Sequence, residues 1–168
     1  NNRNYVAWTF RKAPKFFDVV QYTGTGSSGH VINHSLGSTP GAILIKRTNG
    51  GANWVWHQPS IHSASQYLVL NSTSATLNDS PTNNFTNITS TSFQIDSTWT
   101  STNASLDTYI AYVFGHDTSS DGMIQCGYFN TGGSDSATVN LGFEPQWLLV
   151  KPSSATGNWE IYDTLRGW

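Results

Sequence analysis

With 168 residues, 37% of them hydrophobic, the chain can bury the core of one large domain, or of one domain and part of another. Only 11% of its residues are charged, against about 25% in an average soluble protein, so Thr, Ser, Asn and Gly must solvate the surface. The formal net charge is -2 and the eight Lys and Arg are scattered, with only Arg11, Lys12 and Lys15 close together, which excludes a phosphate-tracking groove and nucleic acid as a partner.

Longest among the apolar runs are strand-sized stretches such as Ala42 to Ile45, far short of the roughly 20 residues of a membrane span, so no membrane insertion is expected. Cys126 is alone, which rules out an internal disulfide and a Cys-based metal site. The chain opens on Asn1 with neither an initiator Met nor a secretory pattern, and it reads as part of something longer.

In chain order, the segments FFDVVQYTG, HVINHSL, GAILIKRT, WVWHQ, QYLVLNS, SFQI and TYIAYVF are short and rich in β-branched and aromatic residues. Gly, Asn, Ser and Pro clusters separate them, so each is predicted as a strand. Between GAILIKRT and WVWHQ, Asn49, Gly50 and Gly51 predict a hairpin turn that uses positive φ. No stretch spaces apolar residues by three and four over a dozen positions, so no helix beyond a turn or two is expected. The fold class is all-β, and about seven strands per unit predict a β-sandwich of jelly-roll or Ig-like kind.

The chain also repeats itself. LGSTPGAILIK from Leu36 returns as LGFEPQWLLVK from Leu141, a shift of 141 minus 36, or 105. That shift places Leu36, Gly37, Pro40, Leu44, Lys46, Asn53 and Trp54 on Leu141, Gly142, Pro145, Leu149, Lys151, Asn158 and Trp159. YVAWTF at Tyr5 returns as YIAYVF at Tyr109, a shift of 104, and Gln21 and Gln125 obey the same 104. One residue inserted or deleted in the loop around GTGSSG reconciles the two shifts. We therefore expect a tandem repeat of about 104 residues: 1–15 as the end of a preceding unit, 16–114 as a complete one, and 115–168 as the first half of the next. A single domain made of two related halves fits the same spacing.

Candidate chemistry is sparse. Glycan hydrolysis needs two carboxylates about 5 to 9.5 Å apart across the substrate. Residues 16–114 offer only Asp18, Asp79, Asp96 and Asp107, while both glutamates, Glu144 and Glu160, lie in the partial copy. His30, His34, His57, His62 and His116 form no metal-binding pattern, Asp117 and Asp121 in HDTSSDG lack EF-hand spacing, and no GxSxG elbow is present. The GTGSSG loop has no phosphate-loop Lys and reads as a flexible polar turn. No enzyme, no metal and no cofactor is expected. Six NxS or NxT triplets, including those at Asn33, Asn71 and Asn87, follow from composition alone. Among the aromatic rings not shared between the copies, Trp56, opposite Ile161, and Trp99 in DSTWTST are the candidate sugar-binding platforms.

YVAWTF, FFDVVQYTGTG, HSLGSTPGAILIKRTNGGANW and LGFEPQWLLVK together resemble a domain of unknown function found in virion structural proteins of marine phages, with cyanophage tail-fibre-like proteins as typical carriers. The LGxxP motif leading into an apolar strand that ends in Lys is similar to a recurrent element of phage tail and fibre β-domains. The resemblance implies a virion or extracellular location, a long and often homo-oligomeric parent, and other virion subunits as partners, with a host-surface glycan as a further one. The expected function is that of a structural or adhesion module of a tail fibre or other virion-surface appendage. A carbohydrate-binding module of a secreted protein is the alternative.

Overall fold

A computed structural model describes residues 5, 7–79, 84–133 and 136–167. The chain is all-β: among these residues there is no helix, and eleven strands form several antiparallel sheets. Each of the seven predicted segments holds a strand, giving β1 (Phe17–Thr23), β2 (His30–Asn33), β3 (Ala42–Arg47), β4 (Trp54–His57), β5 (Gln66–Val69), β8 (Ser92–Ile95) and β9 (Thr108–Phe114). Two-residue strands β6 (Leu77–Asn78) and β7 (Phe85–Thr86) fall between β5 and β8, and β10 (Trp147–Val150) and β11 (Glu160–Asp163) follow β9.

A six-stranded sheet runs in the order β1-β9-β3-β4-β5-β6, and a three-stranded sheet in the order β2-β8-β7. The last strand of this set, β9, lies between the first, β1, and β3, pairing Phe114 with both Phe17 and Ala42. Its burial alternates as the period of a strand demands: Tyr109, Ala111 and Val113 are fully buried, and the residues between them are half-buried.

The inner face of the large sheet, with Ile43, Ile45, Val55, Tyr67, Val69, Tyr109, Ala111 and Val113, shares one core with Ile32, Phe85, Phe93 and Ile95 of the three-stranded sheet and with Leu36. The outer face carries Ala42, Leu44, Trp56 and Leu68, with Trp54, Leu70, Tyr112 and Phe114 packed around them. β3 is buried on both faces because the C-terminal part of the chain covers this second face through Cys126, Leu149 and Trp159.

β10 and β11 form a separate two-stranded sheet, and no strand of 116–167 enters the two larger ones. In this hairpin Leu148 pairs with Tyr162 and Leu149 with Ile161. Those four positions lie 105 residues after Ile43, His57, Leu44 and Trp56, which pair in the same way between β3 and β4. Ahead of each hairpin stands a glycine in the left-handed region, Gly37 at φ 71° and Gly142 at φ 74°, also 105 apart.

One sequence expectation needs correction here. The β3–β4 hairpin forms, but neither Gly50 nor Gly51 takes positive φ. Its connection is a wide loop held by side chains instead: Lys46 Nζ donates to the Ala52 carbonyl at 2.8 Å, and Arg47 Nε donates to Asn49 Oδ1. YVAWTF does not form a strand over Ala7–Phe10; residues 1–4 and 6 of the expected preceding unit, and Trp168 of the following one, lie outside the described residues.

Candidate functional site

The most distinctive surface is built where the outer face of the large sheet meets both ends of the chain. Outward-facing positions of β1, β9 and β4 carry rings that meet on this face, those of β4 and β9 reaching each other across β3. Trp54 stacks on Tyr112, with ring centroids 6.4 Å apart, and Tyr112 on Phe17 at the same distance. Phe17 meets Phe114 at 5.2 Å, and Phe114 meets Trp56 at 5.7 Å.

Each chain end adds rings to this row. From the C-terminal part, Trp159, just ahead of β11, stands edge-on to Trp56 at 5.7 Å and donates its indole N–H to the Val69 carbonyl at 3.0 Å. From the N-terminal segment, Phe10 touches Phe16, Phe17 and Phe114, and it stands edge-on to Trp147 of β10 at 5.8 Å. Trp8 lies beneath the Arg166 guanidinium, 5.1 Å from ring centroid to Cζ. Arg166 is held in turn by Asp163, whose Oδ2 accepts from Nε at 2.6 Å.

The repeated motif residues divide between the two settings. Leu36 and Pro40 are buried and Gly37 turns the chain into β3, whereas Leu141 and Pro145 are half-buried around the exposed Gly142. Lys46 Nζ sits 5.7 Å above the Trp54 ring within its own hairpin. Lys151 Nζ instead reaches out of its hairpin to the Thr73 carbonyl at 3.3 Å as well as to Pro152. The second copy of the motif is thus tied to the loop after β5.

Neither proposed sugar platform presents an open ring. Trp56 is 9% exposed, wedged between Phe114 and Trp159, and Trp99 packs on Tyr67 at 5.0 Å against the inner core. The exposed ring that does sit in a cleft is Tyr128, 71% exposed, in a cavity of about 470 Å³ lined also by Ser38, Pro40, Ser60, His116 and Cys126. Ser38 Oγ is buried there without a hydrogen-bond partner. Composition gives no signal for Tyr128, because it belongs to no repeat and no motif.

Elsewhere the polar residues serve the scaffold. The GTGSSG loop is pinned rather than flexible: buried Asn103 accepts from the Thr25 N–H at 2.9 Å and donates to the Ser27 and Ser97 carbonyls, and Asp96 accepts from the Gly29 N–H. Asp18 is 3% exposed; burial alone would raise its carboxyl, but Lys12 Nζ at 2.7 Å and the Ser35 and Val19 N–H groups outweigh that and hold it below the ordinary value. Asp117 and Asp121 both accept from the Ser119 hydroxyl in a surface turn. Among the described residues no group of three His, Cys, Asp or Glu side chains is placed to hold a metal ion. His57, stacked on Phe85 at 4.3 Å, and His62 beside it are buried, and burial lowers both imidazoles to about 4.

Fold and surface together define an all-β protein of antiparallel sheets, with an aromatic seam tying both chain ends to the outer face of its main sheet. The chain belongs to the family described as Domain of unknown function (DUF7483), whose model matches residues 1–167. No curated protein and no solved structure matches it.

Proposed function

We propose that this chain is a structural and adhesive module of a phage tail fibre or comparable virion-surface appendage, in which β-sandwich units follow one another in tandem. The observation that carries the reading is the copied hairpin. β10–β11 repeats the register of β3–β4 at a spacing of 105 residues, behind the same left-handed glycine, and then packs on the unit that precedes it. A stalk assembled from such units needs this arrangement, since each unit offers a broad apolar face to the start of the next.

In this role the module works through contact area and multiplicity, because weak sites repeated along an oligomeric fibre hold a cell by raising effective concentration. A host-surface glycan is the outside partner, and the Tyr128 cleft is its place: an exposed ring for the apolar face of a sugar, beside the Ser38 and Ser60 hydroxyls. Immobilised bacterial surface glycans provide the test. Binding that weakens at least tenfold in Tyr128→Ala is the expected result, and binding unaffected by that change would remove the cleft from the proposal. Absence of binding to any glycan would reduce the module to a spacer, and glycan cleavage would overturn the reading in favour of a depolymerase.

A further inference from the structure

The two equivalent hairpins leave one recurring residue pair in opposite states. Asn53 and Trp54 stand at the entry to β4, and Asn158 and Trp159 stand 105 residues later at the entry to β11. In the first hairpin the fold occupies the pair. Lys46 Nζ lies 5.7 Å above the Trp54 ring, the Trp54 backbone N–H donates to Asn71 Oδ1 at 2.9 Å, and Asn53 Oδ1 accepts from Asn71 Nδ2 at 3.4 Å.

In the second hairpin the pair is left open. Lys151, the counterpart of Lys46, turns away to the Thr73 and Pro152 carbonyls, and among the described residues no cation stands over Trp159. Asn158 and Glu160 are exposed, and among the described residues their side chains make no hydrogen bond and no ion pair.

These groups line a cavity of about 650 Å³ whose other wall is Asn71, Ser72 and Thr73, in the loop after β5. That volume lies within the roughly 300 to 1,000 Å³ of small-molecule sites. Backbone bonds fix the walls to each other: the Gly157 N–H donates to the Thr73 carbonyl at 2.9 Å, and the Thr76 N–H to the Ser153 carbonyl at 2.8 Å. Trp159 is fixed as well, by its indole N–H on the Val69 carbonyl and by its edge-on contact with Trp56. A ring oriented in advance lowers the ordering cost of binding.

We infer that this cleft binds a neutral pyranose unit of a glycan, as a second sugar site besides the Tyr128 cleft. The inference rests on the sugar-binding part of the reading above and not on a virion location. A pyranose has an apolar face and a belt of hydroxyls, each of them donor and acceptor. The half-buried Trp159 ring suits the face. The Asn71 and Asn158 amides and the Ser72 and Thr73 hydroxyls both donate and accept, and the Glu160 carboxylate accepts from two adjacent hydroxyls at once. Glu160 carries the only charge among the lining residues, so an acidic sugar sets carboxylate against carboxylate and binds less well.

The two clefts lie at opposite ends of β3. Pro40 and Gly41 of the Tyr128 cleft lead into the strand at Ala42, whereas Trp54 pairs with Lys46 near its far end and accepts at its carbonyl from the Leu70 N–H. Six residues at about 3.3 Å each separate the ends by on the order of 20 Å, so each cleft reports its own ligand.

Proton–nitrogen correlation spectra of the full chain, titrated with methyl glucoside, methyl mannoside and methyl galactoside, test the site, with glucuronic acid as the anionic comparison. At least one neutral glycoside is expected to shift the Asn71 and Asn158 side-chain amides and the Trp159 indole N–H saturably, and to bind about threefold or more tighter than glucuronic acid. Asn158→Ala and Glu160→Gln, at exposed side chains without partners, are each expected to weaken that binding about fivefold while leaving the melting temperature unchanged. In Tyr128→Ala protein the shifts at Asn158 are expected to persist. No saturable shift at these groups, or a shift that survives both Asn158→Ala and Glu160→Gln, overturns the site, and tighter binding of glucuronic acid overturns its assignment to neutral sugars. If the glycosides move signals around Tyr128 and none at Asn158, this site fails and the Tyr128 cleft stands; the reverse pattern keeps this site and removes that cleft.

Discussion

Trp56 owes its burial to Trp159, a residue from the other end of the chain, and that explains why its role was hard to read. Comparing the two copies marks Trp56 as a ring without a shared packing duty, because its counterpart is Ile161. It packs instead on Phe114 and Trp159. Ile161 is 39% exposed. The rings that recur in both copies, Trp54 and Trp159 among them, are the legible ones, whereas a contact between the β11 region and the main sheet leaves no periodic trace in a sequence.

At the same scale, His57 and His62 make the fold acid-sensitive. His57 shares its Nδ1–H with the Gln66 carbonyl at 3.0 Å, and His62 Nδ1 accepts from the Gln58 N–H at 3.1 Å. Burial keeps both rings neutral down to about 4, while the unfolded chain protonates them near 6.5. The unfolded state thus takes up protons first, so stability is intact above pH 6.5 and is lost as pH falls towards 4; by pH 5 the loss is about 2 kcal/mol for each ring as an upper figure. His34 is shifted in the same direction by burial. Urea midpoints at pH 7 and pH 5 are expected to differ clearly in the native protein and by about half as much in His57→Gln, which keeps the donor. An equal drop in the variant would assign the acid sensitivity elsewhere.

Among the elements, strands that pair within 17–114 were legible because period-two alternation and β-branched composition agree with their burial. β6 and β7 were not, since two residues carry no periodicity, and they exist by virtue of pairing with β5 and β8. Ala7–Phe10 shows the reverse case, a strand-like sequence without a partner strand. The region around Gln125, 104 residues after Gln21 of β1, is likewise in no strand.

The β10–β11 hairpin is held to the main sheet by Leu149 and Trp159 and, at its loop, by the Thr76 N–H on the Ser153 carbonyl and the Gly157 N–H and Lys151 Nζ on the Thr73 carbonyl. Trp159→Ala is expected to loosen it, at a cost of about 3 kcal/mol. Native-state hydrogen exchange should then show lost protection for amides of Trp147–Val150 and Glu160–Asp163, with β3 and β9 unchanged. Uniform loss of protection across all strands would mean that the outer-face contact is integral to a single cooperative core.

Over the whole molecule, every hydrogen-bonded strand of the two larger sheets lies within 17–114, so the isolated segment 16–114 is expected to melt cooperatively. Its exposed outer face, with Leu44, Trp56 and Leu68 uncovered, is expected to make it associate more readily than a stable monomer would. Ending the segment at Asp107 removes β9 from between β1 and β3 and is expected to abolish the melting transition altogether. A cooperative melt for 16–107, or none for 16–114, would show that the boundaries drawn from the repeat are misplaced.

The central position of β9 also sets a timetable for synthesis. β1 meets its partner only when Thr108–Phe114 has emerged, with Phe17 waiting for Phe114, so β1 cannot join the large sheet while β3 to β6 pair in order as the chain leaves the ribosome. Until then β1 and β3 are two unsatisfied edges waiting for one late strand, and contacts this distant in sequence form slowly. Until β9 emerges, the exposed edges of β1 and β3 can be captured by a neighbouring chain on the same polysome.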